Sequence, residues 1–288
     1  MKTFLRVTKA AMVGWWNDRA LSLGAAISFY ALFSLAPVLL ASVTIAGLFF
    51  GQDAARLAVV DEAGGLIGAD AAAALDSMLS AAKQFGTGPL SLLFGIAMFF
   101  ILATGAIVEL QDDLNIIFRS QPEGGNVWVM IKSRLISAAL VLTLGFLLLI
   151  SLVLDAGLTA LSSYLLDRFE DMRPFIVVLN VLFAWLIAST MFALIFRLLP
   201  EKRLEWHTVI VGAALTGALI EIGKFLIGLY IGRSGITSTY GSAASLVTIL
   251  LWIFYTCQIF LFGAEFTWAY ARERGTSDGE TRAHADPG

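Results

Sequence analysis

Residues 206–232 read WHTVIVGAALTGALIEIGKFLIGLYIG, a run in which Glu221 and Lys224 are the only acidic or basic side chains apart from His207 near its start. Five further runs, 20–52, 84–108, 135–154, 174–196 and 234–264, contain no Asp, Glu, Lys or Arg. About 20 apolar residues carry a helix across the hydrocarbon core of a bilayer. Inside that core each backbone N–H and C=O must be bonded within the protein, so runs of this kind become helices. The sequence predicts an all-α, polytopic integral membrane protein. Its core is a six-transmembrane-helix bundle with spans near 25–50, 89–108, 135–154, 174–196, 208–231 and 242–264.

Composition agrees with that reading. Of 288 residues, 58% are hydrophobic and 14% charged, against about 25% charged in soluble domains. The mean hydropathy is +0.83. One membrane domain is expected over residues 1–271. A disordered cytoplasmic tail is expected over 272–288, where Arg, Glu, Gly, Ser, Asp and Pro take over. Thirteen Lys and Arg fall in residues 1–24, 109–134, 197–207 and the tail, and five in the alternate loops. This asymmetry predicts that both termini are cytoplasmic. Trp15, Trp16, Trp128, Trp206 and Trp268 flank spans on the same side, where amphipathic rings sit at headgroup level. The single cysteine, Cys257, excludes an intrachain disulfide and a Cys-based zinc site.

Phe4, Val7, Ala11, Met12 and Trp15 recur at helical spacing among Lys and Arg. Residues 3–16 therefore form either an interfacial helix or an extension of the first membrane helix. Pro37 lies within the first span and predicts a kink there. Ser28, Tyr30 and Ser34 are expected to face other helices. Residues 52–86 form the longest external loop. Within it Asp70, Leu75, Met78, Leu79, Ala82 and Phe85 predict a short amphipathic helix. A second short helix is expected around Tyr164–Phe169 in the external loop 155–173, and Ser242 is placed to cap the sixth span.

Glu221 falls close to the bilayer centre of the fifth span, where a charge costs ~2.5–3.5 kcal/mol or more. At 100° per residue Ala213, Gly217, Glu221, Lys224, Gly228 and Gly232 share one face. Leu215, Leu219, Ile222, Leu226 and Leu229 take the other. Small residues let helices approach closely, so the charged pair is expected to point into the bundle. One reading makes Glu221 and Lys224 a neutralising i,i+3 pair. The other makes them part of a polar substrate path, with Gly217, Gly228, Tyr255 and Gln258 alongside.

Other constellations carry less chemistry. Glu109, Asp112 and Asp113 sit at i, i+3 and i+4 and form a candidate cation site. They also suit a solvated helix end that counters Arg119, Lys132 and Arg134. Glu265 closes the sixth span, with Thr248, Trp252, Tyr255 and Gln258 further up that helix as interhelical hydrogen-bond partners. Only two histidines are present, His207 and His284, too few for a His-rich di-metal hydrolase site. No nucleotide fingerprint occurs, and the basic residues form no nucleic-acid groove. An enzyme is not expected, nor is a cofactor, a resident metal or a nucleic-acid partner. Membrane lipids are the expected partners, and the oligomeric state is not written in the sequence.

Four stretches resemble the YihY/BrkB family of membrane proteins. They are Ser28 to Pro37 (SFYALFSLAP), Gly88-Pro89-Leu90-Ser91 through Leu114-Asn115-Ile116-Ile117-Phe118, Leu198-Leu199-Pro200 followed by Glu221-Ile222-Gly223-Lys224-Phe225, and Tyr240-Gly241-Ser242 to Gly263-Ala264-Glu265. Together they cover roughly residues 10–272 in order. The resemblance implies a six-helix protein of the bacterial cytoplasmic (inner) membrane. The family carries virulence-factor, transporter and older ribonuclease BN labels, and the residue census here disfavours the ribonuclease. The resulting expectation is a transporter-like protein handling a lipid or amphipathic solute through a polar path at Glu221 and Lys224. A non-transporting scaffold for an envelope complex and a membrane-embedded enzyme are the alternatives.

Overall fold

The computed structural model describes residues 2–67, 69–84, 105–120, 173–233 and 244–285. All of their regular structure is helical. In chain order the helices are α1 (Lys2–Asn17), α2 (Ala20–Phe50), α3 (Gln52–Ile67), α4 (Ala69–Gln84), α5 (105–117), α6 (Arg173–Leu198), α7 (Trp206–Arg233) and α8 (Ala244–Ala285). Three of them contain segments long and apolar enough to cross a membrane: Val178–Leu198, Trp206–Tyr230 and Leu246–Gly275. These match the predicted fourth, fifth and sixth spans. α2 covers the first predicted span and runs unbroken through Pro37. The third span, most of the second, Trp128, the helix expected near Tyr164–Phe169 and the cap at Ser242 lie outside the described residues.

The helices wear their apolar side chains outward. On α6, Val178, Val181, Leu182 and Leu186 are exposed, and on α7 so are Ile210, Ile222, Phe225 and Leu226. Water would penalise such a surface and lipid does not. Of the leucine-rich face predicted for α7, Ile222, Leu226 and Leu229 are exposed, whereas Leu219 is half-buried and Leu215 packs in the core.

The chain divides into two compact units. The first comprises Met1–Ala20, Gln111–Ile222 and Ile259–Gly288. Its core packs Val7 and Ala11 of α1 against Phe266 of α8, with Val211 and Leu215 of α7 beside them. An aromatic cluster joins Phe118, Phe192, Phe196 and Phe260, with ring centroids 5.3–6.4 Å apart. Trp268 adds to it at 6.4 Å from Phe118. The loop from α6 to α7 is tied down by its polar groups. The Arg197 guanidinium donates to the Leu204 carbonyl and lies 5.5 Å over the Trp206 ring. The Lys202 ammonium sits 4.4 Å over the Trp268 ring, a favourable cation–π distance.

α1 is a separate helix, not an extension of α2. Arg19 adopts φ 56° and turns the chain between them.

The second unit comprises Leu21–Leu110 and Gly223–Gln258. Where the sequence predicts a loop over 52–86 with one short helix, the described residues 52–67 and 69–84 form a hairpin of two. The predicted amphipathic helix is α4, which buries Leu75 and Leu79. α3 was not foreseen. Gly51, at φ 87°, ends α2 in the left-handed conformation that glycine adopts without strain. The chain then re-enters a helix at once. Arg56 closes the hairpin, donating to Asp76 Oδ1 at 2.6 Å and to Ser80 Oγ at 2.6 Å. Val43, Ala55 and Leu79 form one small core there, and Leu75 packs with Ile249 in another. Ser28 and Ser34 of α2 are buried, as expected. The Tyr30 ring lies 3.3 Å from where a Cβ on Gly105 would stand.

α8 continues to Ala285, where the sequence reading places a disordered tail from Arg272 onward. Tertiary contacts hold the first turns of that extension: Glu273 pairs with Arg6 at 3.0 Å, and the Arg274 guanidinium lies 2.7 Å from His207 Nδ1.

Candidate functional site

α7 passes α6 along a seam set by Gly217. A Cβ on Gly217 would stand 2.5 Å from Ser189 Oγ and 3.3 Å from the Trp185 carbonyl of α6. A side chain there would crowd the α6 backbone, and a small residue lets the two helices approach this closely. One turn earlier the Trp185 indole donates to the Ala214 carbonyl at 2.9 Å. One turn later comes Glu221, half-buried within the predominantly apolar span that also holds Lys224. On α6, Ser189 Oγ is buried and without a hydrogen-bond partner among the described residues, as is Asn180 Oδ1, which lies nine residues away on the opposite side of the helix. Buried polar atoms are normally satisfied by protein or by ordered water. The seam thus carries the Ser189 hydroxyl, with the Glu221 carboxylate one turn further along α7.

The predicted small-residue face holds in part. Ala213 and Gly217 are buried, and Glu221 and Lys224 are half-buried. Gly228 is exposed, and a Cβ there would meet nothing within 4 Å. It therefore does not serve close packing among the described residues. Tyr255 and Gln258 are half-buried on α8.

The Glu109, Asp112 and Asp113 constellation does not assemble into a cation site. Among the described residues no three His, Cys, Asp or Glu side chains are placed to hold a metal ion. Helical geometry explains the separation: neighbouring residues point about 100° apart, so Asp113 is buried while Asp112 is exposed.

A second polar constellation, absent from the sequence reading, lies within the first unit. Asp18 follows α1 and Arg119 follows α5. Arg119 Nη2 donates to Asp18 Oδ1 at 2.9 Å. The Asp18 side chain is 8% exposed and that of Arg119 52%. The Glu265 carboxyl of α8, 2% exposed, lies beside Asp18. It occupies the space that a side chain on Gly14 would fill. Asp18 Oδ2, Glu265 Oε1 and the Trp15 indole N–H are buried without partners among the described residues.

The backbone marks the same place. Arg19 and Arg119 are the only non-glycine residues with positive φ among those described, at 56° and 52°. Each costs on the order of 1–2 kcal/mol. The turns are held by bonds from Arg19 N to the Trp16 carbonyl and from Arg119 N to the Ile116 carbonyl, both 3.2 Å. Asp18, Arg119 and Glu265 lie far apart in sequence. The available signals were single ones: a glycine one turn before the acid on α1, and an acid ending a span on α8.

Between these two constellations α7 and α8 interlock. Gly212-x-x-x-Thr216 and Gly263-x-x-x-Thr267 run in opposite directions past each other. A Cβ on Gly212 would fall on the Thr267 hydroxyl, and one on Gly263 on the Thr216 hydroxyl. Both threonines are fully buried. Each returns its hydroxyl to the glycine four residues back, at 2.8 Å for Thr216 and 2.7 Å for Thr267.

The model of the virulence factor BrkB family matches residues 11–287 of this chain. A UPF0761 membrane protein of Rhodospirillum centenum is 28% identical over 268 residues, which is 91% of this chain and 56% of that protein. A UPF0761 membrane protein of Vibrio cholerae is 26% identical over 205 residues, 70% of this chain and 65% of that protein. One of Tolumonas auensis is 24% identical over 174 residues, 60% of this chain and 55% of that protein. The chain therefore spans little more than half to about two thirds of these relatives. No solved structure matches it.

Proposed function

This chain belongs to the virulence factor BrkB family of membrane proteins, and from that premise we propose that it is transporter-like, giving a lipid or amphipathic solute a polar path past Glu221 and Lys224. The bacterial cytoplasmic membrane, with both termini on the cytoplasmic side, is the setting that the Lys and Arg asymmetry favours. The observation that carries the proposal is Glu221 itself, half-buried within the apolar span Trp206–Tyr230. Ionisable residues at such depth are costly, and they mark substrate or ion pathways. The Ser189 hydroxyl, on the seam one turn from Glu221, adds a second polar group. An amphipathic solute fits the chemistry: its polar part meets the carboxylate, and its apolar part stays among leucines and phenylalanines.

The folded α3–α4 hairpin supports the scaffold alternative, because a packed pair of helices offers a defined surface to an envelope partner. The two readings part on Glu221. In proteoliposomes carrying a fluorescent NBD-phospholipid, the wild-type chain should speed transbilayer exchange, read by dithionite bleaching. Glu221→Gln should return the rate to that of protein-free vesicles while membrane yield stays near wild type. Exchange that is absent with wild type, or unchanged in Glu221→Gln, would remove the lipid-path reading and favour the scaffold.

A further inference from the structure

One face of α1 is committed to the protein and the opposite face is not. Val7 and Ala11 are buried against Phe266, and Arg6 pairs with Glu273 of α8. On the far side Leu5, Met12, Val13 and Trp16 are 51–71% exposed. Met12, Val13, Trp16 and Asn17 line a shallow cavity of about 260 Å³. Lys9 is exposed on the same side, falling between Trp16 and Val13 at 100° per residue. Arg19 is exposed at the helix end. Residues 1–17 contain Lys2, Arg6 and Lys9 and no acid. The first acid, Asp18, is buried and bonded to Arg119.

We propose that this face of α1 is a docking surface for anionic phospholipid of the adjoining leaflet. Trp16, Met12 and Val13 sit at the boundary of headgroup and acyl chain, and Lys9 and Arg19 meet the phosphates. The mixture of residues selects this occupant. Long cationic side chains among apolar ones extend their charges to the headgroups while their stems lie on hydrocarbon. A second copy of the chain would oppose like charges on this face. A nucleic acid would leave four large apolar side chains uncovered. The proposal rests on the family's membrane assignment and is independent of the path at Glu221.

The test uses the full chain in nanodiscs in which the same mole fraction of brominated lipid is either phosphatidylglycerol or phosphatidylcholine. The Trp16 emission is isolated by subtracting the Trp16→Phe variant. A cation near an anionic surface enriches the anionic lipid by about fivefold. Trp16 should therefore be quenched several-fold more effectively by the brominated phosphatidylglycerol. Lys9→Gln/Arg19→Gln should keep the quenching and lose the headgroup preference. Both sites are exposed, and the wild-type comparison alone already tests the preference. Equal quenching by the two lipids would overturn the proposal, as would quenching by neither. A preference that survives in the double variant would overturn the roles given to Lys9 and Arg19.

Discussion

Gly212 and Gly263 are the positions where one methyl group should cost most. Each faces a buried threonine hydroxyl on the partner helix, and neither threonine can withdraw without losing its own bond. Overpacking of this kind costs about 1–3 kcal/mol, so Gly263→Ala should lower the apparent Tm by several degrees in detergent. Gly228→Ala is the matched control. Its Cβ meets open space, and the better helix propensity of alanine should leave Tm unchanged or slightly higher. A Gly263→Ala chain as stable as wild type would remove the interlock. Asp18 and Glu265 give a second test at this scale. The Glu265 side chain is buried at 2% exposure, and Gln keeps the shape of Glu without the cost of burying a charge. Glu265→Gln should therefore hold or raise Tm. Arg119→Ala should cost on the order of 1–3 kcal/mol, below the figure for a fully buried pair because Arg119 is half-exposed. A marked loss of stability in Glu265→Gln would mean that its charge is needed for folding. The sequence reading reached Glu221, Lys224 and Gly217 because helical spacing alone puts them on one face. It missed Asp18, Arg119 and Glu265 as a group because no local pattern links residues that meet only through tertiary packing.

At the scale of elements, the hairpin α3–α4 separates what periodicity reveals from what it hides. α4 was legible because Leu75, Met78, Leu79 and Ala82 repeat at 3–4 residues. α3 was hidden because Gln52–Ile67 mixes Asp53, Arg56, Asp61 and Glu62 with apolar residues in no helical period, and it contains Gly64 and Gly65. Its helix is fixed by partners instead, through Arg56 to Asp76 and Ala55 to Leu79. The partly exposed ion pair contributes about 0.2–1 kcal/mol, so the apolar contact should dominate. Leu79→Ala should cost ~2–5 kcal/mol and should expose 52–84 to limited proteolysis. Resistance equal to wild type would show that the hairpin does not depend on this core. The end of α8 teaches the same lesson from the other side. Composition marks Arg272 onward as tail-like, while Arg6 and His207 hold Glu273 and Arg274 in the helix.

For the whole molecule, the membrane character was the most legible feature, because uncharged runs long enough to span a bilayer have few other stable fates. α6 and α7 coincide with runs 174–196 and 206–232 to within two residues, and α8 covers 244–264 of the last run before continuing to Ala285. The path at Glu221 is the claim that gives this architecture a function. Native mass spectrometry of the gently extracted protein, wild type beside Glu221→Gln/Lys224→Met, tests it most directly. The account predicts a specific lipid or amphipathic solute that stays with the wild-type chain and is missing from the double variant. Identical bulk phospholipids on both would contradict it and leave Glu221 and Lys224 as a structural pair.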